Sequence, residues 1–284
     1  MAEEDLYNDE IILARSSPYQ RIMLTQWRED LRLFLNGHLQ FSSRDEYRYH
    51  EALVHPGLQS LAMPRRVLVL GGGDGLAVRE ILRYRSVESV TLVDLDPEMT
   101  RLFSLHPLLT RLNQNSLNSP KVHVINQDAF VWLEEEPEYF DFIVVELPDP
   151  SSYSLGKLYT TAFYRLMFKH LAENGVAVIQ GTSPLFARQS FWCIVKTLQS
   201  AGFQTTPYHA YVPSFGEWGF ILAGKKSYVM PRSFPAGLQF VSAETLPNLF
   251  NFPQDMAPVE TEVNRLNNQI LVQYYDEEWH KLTQ

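Results

Sequence analysis

The run Gly71-Gly72-Gly73-Asp74-Gly75 constrains this chain more than any other feature. It follows the apolar run Val67-Leu68-Val69-Leu70 and precedes a helix-like stretch over 76–84. Glycines let a backbone turn tightly and approach a ligand closely, and the helix that follows presents unpaired N–H groups. A glycine turn between a buried strand and a helix is therefore a nucleoside-binding corner. The spacing departs from the dinucleotide fingerprint and puts an acid, Asp74, inside the turn, where a pyrophosphate would be repelled and a cation favoured. The next strand-like run, Val90-Thr91-Leu92-Val93, ends at Asp94. That is about twenty residues past the glycines, where a carboxylate accepts hydrogen bonds from ribose hydroxyls. Sugar and positive charge together point to a sulfonium nucleoside of the S-adenosylmethionine kind. Each piece alone also has a plainer reading, because glycine turns close ordinary strand–helix corners and Asp is a favoured helix cap. The combination carries the weight.

The chain divides into two patterns, assigned here to a hairpin-rich β domain over 1–56 and a catalytic domain over 57–284. In the first, Tyr19-Gln20-Arg21-Ile22-Met23-Leu24 alternates, and Leu31-Arg32-Leu33-Phe34-Leu35 meets His38-Leu39-Gln40-Phe41 across Asn36-Gly37, a strong hairpin signal. In the second, short apolar runs at 67–70, 90–93, 122–125, 142–145 and 176–179 alternate with helical stretches such as 163–171 and 191–200. That alternation predicts an α/β fold with a doubly wound parallel sheet. The run 220–223 is expected as a late strand at the far edge. The stretch 225–258 is punctuated by proline, and a final helix is expected over 260–275.

With 284 residues and 45% hydrophobic content, the chain can bury one substantial core and a small satellite domain. A formal net charge of −9 disfavours nucleic acid and anionic lipid as partners and suits a small cationic substrate. The single cysteine, Cys193, excludes an internal disulfide and lies in Phe191-Trp192-Cys193-Ile194-Val195, the setting of a buried helix residue rather than a nucleophile. No zinc-ligand spacing is present, and neither a metal nor a prosthetic group is expected. No signal-peptide pattern opens the chain and no apolar run approaches the length needed to cross a bilayer, so the expected location is a reducing cytoplasm.

Acids stand at successive strand ends, where ligands bind in open α/β sheets: Asp74, Asp94, Asp128, and the pair Glu146 and Asp149. Asp128 also suits a helix cap ahead of Ala129-Phe130-Val131-Trp132. Glu146-Leu147-Pro148-Asp149-Pro150 holds two carboxylates at a proline-stiffened exit, a costly arrangement unless a cation or proton lies between them.

Along nearly its whole length the chain resembles the polyamine aminopropyltransferases, the spermidine synthase family. The likeness rests on Ser17-Pro18-Tyr19-Gln20, Asn36-Gly37-His38-Leu39-Gln40, Arg44-Asp45-Glu46-Tyr47-Arg48-Tyr49-His50-Glu51, the Gly71–Gly75 turn, Asp128-Ala129, Asp149-Pro150 and Gln180. It implies a small N-terminal β domain joined to a methyltransferase-like Rossmann domain. It also implies transfer of an aminopropyl group from decarboxylated S-adenosylmethionine, as co-substrate, to a diamine, with release of methylthioadenosine. On this likeness the donor site comprises Gly71, Gly73, Asp74 on the ammonium, Asp94 on the ribose, and Asp128 with Ala129 at the adenine. Gln20, Tyr49 and His50 line the passage from the β domain. Asp149 is the catalytic acid that orients the amine and takes its proton, Tyr49 assists, and Glu146 and Gln180 help to position the amine. Asp74 would also repel the carboxylate of ordinary S-adenosylmethionine.

Departures from the family pattern fall mostly at the acceptor end. The usual Asp-Ser-Ser-Asp-Pro is here Glu146-Leu147-Pro148-Asp149-Pro150, and the glycine after the turn is Leu76. The tyrosine loop is Pro213-Ser214-Phe215-Gly216, without the phenolic hydroxyl, so Phe215 is placed in the acceptor site with Glu217 or Trp218 as replacement contacts. Putrescine is the default acceptor. Two alternatives of other classes stay open: a methyltransferase on the same fold, and a non-catalytic nucleoside- or polyamine-binding module. The loop at 212–220 and the ending at 262–268 are similar to the branch in which the enzyme domain follows a multi-pass membrane region. The opening Met1-Ala2-Glu3-Glu4 suits either a membrane-tethered parent chain cut short or a complete soluble protein. A homodimer or homotetramer is expected from the likeness.

Overall fold

A computed structural model describes residues 9–282; the opening at 1–4 lies outside the described residues. The N-terminal part is an antiparallel sheet in the order β1-β2-β3-β4, formed by β1 (Glu10–Ser16), β2 (Arg21–Trp27), β3 (Asp30–Leu35) and β4 (His38–Ser42). The Asn-Gly turn between β3 and β4 is a tight hairpin in which Leu35 pairs with His38. Asn36 (φ 51°) and Gly37 (φ 83°) are both left-handed, as the strand twist requires of such a turn.

Helix α1 (Glu46–Leu58) leads into the large sheet. Its strands are β5 (Arg66–Gly71), β6 (Ser89–Asp94), β7 (Val122–Asn126), β8 (Phe140–Glu146), β9 (Leu171–Gln180), β10 (Gln204–Val212) and β11 (Gly216–Gly224), in the spatial order β10-β11-β9-β8-β5-β6-β7. The connecting helices are α2 (Leu76–Ile81), α3 (Pro97–Leu105), α4 (Pro107–Leu112), α5 (Ala129–Glu135), α6 (Tyr153–Gly156), α7 (Thr161–His170) and α8 (Arg188–Ser200), and α9 (Ile270–Leu282) closes the described chain. Alternate residues of the central strands feed two cores. Val67, Val69, Phe142, Val144 and Val178 pack with α1 and α2, whereas Leu68, Leu70, Ile143, Val145 and Ile179 pack with α5, α7 and α8. The strands are apolar on both faces because helices cover both.

Strands β5 to β9 run parallel, as the alternation of strands and helices predicts, but the sheet as a whole is mixed. Strand β11 is antiparallel to β9, and β10 is antiparallel to β11. Val212 pairs with Gly216 across Pro213-Ser214-Phe215, and so short a connection permits only an antiparallel return. The run 220–223 therefore lies inside the sheet rather than at its edge, which β10 occupies.

The last helix also begins later than the expected 260–275. Asn264 is fully buried and its bonds leave the local chain. Its backbone N–H donates to Thr197 Oγ1, its carbonyl accepts from Thr161 N–H, its amide donates to the carbonyls of Gly156 and Tyr159, and Oδ1 accepts from Leu271 N–H. A residue whose backbone is spent on other elements cannot join a helical ladder. Cys193 is buried in α8, and burial pushes its thiol up to about 12. No helix among the described residues is long and apolar enough to cross a membrane.

Candidate active site

The carboxyl ends of β5, β6, β8 and β9 converge, and the glycine turn lies at their centre. Gly71 has φ +83°, and a Cβ there would lie 2.0 Å from the Glu146 carbonyl, so no other residue fits. A Cβ on Gly73 would strike the Asp94 carboxylate; instead Gly73 N–H donates to Asp94 Oδ2 at 3.0 Å. Asp96 N–H donates to Asp94 Oδ1 at 2.8 Å, leaving each Asp94 oxygen a lone pair for a ligand hydroxyl. Burial pushes Asp94 up to about 6, partly opposed by these two N–H bonds.

Gln20 is brought to the same place from the N-terminal sheet. Its Nε2 donates to Asp96 Oδ2 at 2.8 Å, beside Ser17 Oγ at 2.7 Å, so the turn before β2 docks on the loop after β6. Asp74 follows the glycines and accepts from Leu76 N–H at 2.8 Å. Burial and then the Glu146 charge push it up to about 7, partly opposed by His50.

His50 is buried between two acids. Its Nδ1 pairs with Glu46 Oε2 at 2.7 Å, and its Nε2 lies 3.4 Å from Glu146 Oε1. Burial alone would lower its pKa, but the bonds and charges of Glu146 and Glu46 prevail and push it up to about 10. Arg79 holds Glu46 from behind through Nη1 at 2.8 Å and Nη2 at 3.0 Å. The ligating atoms of His50, Asp74 and Glu146 all lie within 4.8 Å of one another. With two carboxylates in it, this cluster suits a cationic ligand. Glu146 Oε2 is buried and has no hydrogen-bond partner among the described residues. A Cβ on Gly72 would lie 2.6 Å from it, which places this free acceptor against the glycine turn.

Asp149, past the β8 exit, takes Gln180 Nε2 at 3.5 Å on Oδ1, and Thr182 Oγ1 at 3.3 Å and the Tyr275 hydroxyl at 3.0 Å on Oδ2. Burial raises its pKa, and these three donors oppose the rise. Gln180, 4% exposed, also donates to the Leu147 carbonyl and accepts from Trp218 Nε1 at 2.9 Å. Tyr49 packs its ring on Phe220 at 5.4 Å and faces Phe215 at 6.4 Å. Burial raises its hydroxyl well above the usual value, with the charges of Glu146, Asp74 and Asp149 adding to the effect. Phe215 lies 5.6 Å from Trp218, and its loop is pinned to the start of α1, because Ser214 N–H and Oγ both donate to Asp45 at 2.7 and 2.8 Å.

The sequence-selected residues thus fall into one connected site with two exceptions. Glu217 does not join it. It alternates with Trp218 on β11 and faces the opposite side of the sheet, where it pairs with His209, whose ring packs on Phe252. Its charge is spent there, so Trp218 alone of the two faces Gln180. Asp128 stands at the β7 exit, its Oδ1 capping α5 at Phe130 N–H (2.8 Å), just ahead of buried Ala129. Its Oδ2 is not free, because Lys157 Nζ pairs with it at 2.6 Å. Burial would raise Asp128, but the Lys157 contact brings it below the ordinary value. These contacts show the cap reading of Asp128, and the adenine reading of Asp128 and Ala129 is taken up as a proposal below. Sequence reasoning missed Tyr275, Thr182 and Lys157. Thr182 was within reach of the strand-end rule, being two residues past Gln180, whereas nothing local marks Tyr275 or Lys157.

A family model of the spermine/spermidine synthase domain matches residues 46–232. The chain belongs to the spermine/spermidine synthase family. A protein of Leptospira interrogans named polyamine aminopropyltransferase is 58% identical over 281 residues, covering 99% of this chain and 56% of its own length. One of Ralstonia nicotianae named polyamine aminopropyltransferase 2 is 56% identical, covering 98% of this chain and 55% of its own length. The chain therefore spans about half the length of these curated relatives. Among solved structures, the spermidine synthase of Thermotoga maritima superposes with a TM-score of 0.79 at 23% identity, covering 86% of this chain and 85% of that one. A spermidine synthase in complex with the transition-state analogue AdoDATO superposes equally well at 24% identity, covering 86% of each chain. Both therefore share the fold of this chain, a small antiparallel sheet here preceding a Rossmann-like sheet.

Proposed function

We propose that this chain transfers an aminopropyl group from decarboxylated S-adenosylmethionine to a diamine, with putrescine as the acceptor, giving spermidine and methylthioadenosine. The observation that carries the reading is the unpartnered, buried Oε2 of Glu146, set against the glycine turn in the cluster that Glu146 forms with Asp74 and His50. A buried acceptor without a donor is costly, and an ammonium ligand repays it with charge as well as a hydrogen bond. The relatives' names support the same chemistry.

Asp74 and Glu146 receive the donor's ammonium, Asp94 takes the ribose hydroxyls, and Asp128 takes the adenine amino group, with Gly71, Gly73 and Ala129 providing close backbone. Gln20 acts by holding Asp96 next to Asp94. At the other end, the acceptor's reacting amine lies near Asp149, between Tyr49, Gln180, Phe215 and Trp218. An alkyl amine has a pKa near 10, so it must lose a proton before its lone pair can attack. Asp149 takes that proton and Tyr49 assists in orienting the amine. The nitrogen lone pair then forms a bond to the methylene carbon next to sulfur, and the C–S electrons return to sulfur. The leaving group is a neutral thioether, so alignment of the reactants does most of the catalysis. A cytoplasmic location and a homo-oligomeric state belong to the same reading.

The decisive experiment is mass spectrometry after incubation with decarboxylated S-adenosylmethionine and a panel of diamines and polyamines, with S-adenosylmethionine as a parallel donor. Methylthioadenosine together with spermidine from putrescine is the expected result. A methylated amine from the parallel donor would instead make this a methyltransferase, and binding without product would make it a binding module.

A further inference from the structure

Helix α9 lies outside the sheet that carries the acids, yet one of its side chains reaches the middle of the site. Tyr275, 126 positions after Asp149, donates its hydroxyl to Asp149 Oδ2 at 3.0 Å, the shortest of the three hydrogen bonds that this carboxylate receives. Burial and the neighbouring Asp149 charge keep the phenol protonated, so it acts only as a donor toward that oxygen.

The helix is fixed at both ends of this contact. One turn before Tyr275, Leu271 is fully buried and its N–H donates to Asn264 Oδ1. Val272 lies so close to Gly156, on the segment that follows Asp149, that a Cβ there would stand 2.4 Å from it. Three residues after Tyr275, the Glu278 carboxylate accepts Gln189 N–H at 2.6 Å, Ser190 N–H at 3.0 Å and Ser190 Oγ at 2.7 Å. These are first-turn groups of α8, whose N-cap residue Ala187 has no side chain to serve them. Glu278 thus satisfies α8 and fixes the rotation of α9 in one contact.

We infer that Tyr275 is a positioning residue, which holds the Asp149 carboxylate ionised and turned toward the acceptor amine, and that Glu278 in turn holds Tyr275 in place. The inference rests on Asp149 as the proton acceptor. A hydrogen bond given to a carboxylate favours its charged form, so its removal raises the pH at which Asp149 ionises. Oδ2 would keep only the longer Thr182 bond and gain freedom to rotate away from the amine.

The test compares the pH dependence of kcat/KM for the wild-type chain, Tyr275→Phe, Glu278→Gln and Asp149→Asn, together with 13C titration of the Asp149 carboxyl in the ligand-free protein. Tyr275→Phe is expected to move the acidic limb and the carboxyl titration upward by about one pH unit, and to cost roughly tenfold on that limb. The loss should shrink toward high pH, and donor affinity measured calorimetrically should stay unchanged. Glu278→Gln, which leaves the hydroxyl in place, is expected to shift both curves the same way by less. Unmoved curves in both variants would overturn the inference. Full turnover in Asp149→Asn would instead overturn the assignment of the base, whatever Tyr275→Phe does.

Discussion

The proposed donor end and acceptor end of the site are built by different means. Asp74, Asp94 and Asp128 stand at or just past the carboxyl end of a parallel strand, β5, β6 and β7, and their partners are mainly nearby backbone N–H groups. The acceptor end is gathered from distant segments: Tyr49 from α1, Asp149 after β8, Gln180 and Thr182 at the end of β9, Phe215 and Trp218 from the β10–β11 hairpin, and Tyr275 from α9. A pocket cut from consecutive strand ends is fixed by the sheet itself. One assembled from remote side chains is fixed by their mutual hydrogen bonds, and it can be retuned by changing one of them.

The comparison breaks first at Asp149, where the largest effect is expected. Asp149→Asn should lower turnover at least about a hundredfold, the scale of a lost general base, while leaving donor binding nearly intact. Release of methylthioadenosine measures the first quantity and calorimetry the second. Matching losses in both would mean that the two ends are one site energetically, and unchanged turnover would remove Asp149 from the chemistry.

Asp74→Asn attacks the donor end and should do the reverse. Losing one partner of a partly buried charge pair costs roughly 2 kcal/mol or more, about thirtyfold in Kd, for the decarboxylated donor. Ordinary S-adenosylmethionine should lose much less, because its carboxylate is repelled by the same Asp74 charge, so the preference between the two should narrow. Equal losses for both ligands would defeat this account. Since Asp74 is pushed up to about 7, donor binding to the wild-type protein should also weaken as pH falls below that value and the carboxylate takes up a proton. A binding constant that is flat from pH 6 to 8 would contradict it.

His50 lies where the two ends meet, and its expected effect is on stability. Its pKa rises from 6.5 to about 10 on folding, so the folded chain binds this proton more tightly than the unfolded chain does. The contribution is fully present below about pH 6.5, declines as pH rises, and is gone above about pH 10. Denaturant midpoints measured from pH 7 to 10 should fall, and His50→Gln should flatten the part of that slope owed to this residue. An identical slope in the variant would show that the Glu46–His50–Glu146 chain does not hold the proton.

The same contrast decides what was legible in the sequence. The parallel strands, the Asn-Gly hairpin and the strand-end acids follow from periodicity and turn chemistry, which act over a few residues. Strand β10 carries Thr205-Thr206-Pro207 and a weaker apolar pattern, so the sequence pattern points to its neighbour as the edge. The late start of α9 depends on Asn264, whose bonds reach α6, α8 and the start of α7, and no local rule sees them. Glu217 and Trp218 are adjacent in sequence, and only the register of β11 shows that they face opposite sides. Tyr275 requires the packing of α9 on α8, which is tertiary information.

Lys157 marks the point where even the donor end was not legible, and it carries the smallest effect. Its ammonium occupies Asp128 Oδ2 at 2.6 Å, the oxygen left over after Oδ1 caps α5. Both side chains are about one-third exposed, so the pair is worth no more than about 1 kcal/mol after solvent screening. An adenine amino group that donates to Asp128 must displace or share with this lysine, and so must overcome that amount. Lys157→Met should therefore tighten donor binding, by up to about fivefold, with turnover at saturating donor unchanged. The gain should fade when an inosine-type donor, whose purine carries an oxo group in place of the amino group, is used instead. Weaker binding of the adenosine donor in Lys157→Met would reverse the account, making the lysine part of the adenine contact rather than its competitor.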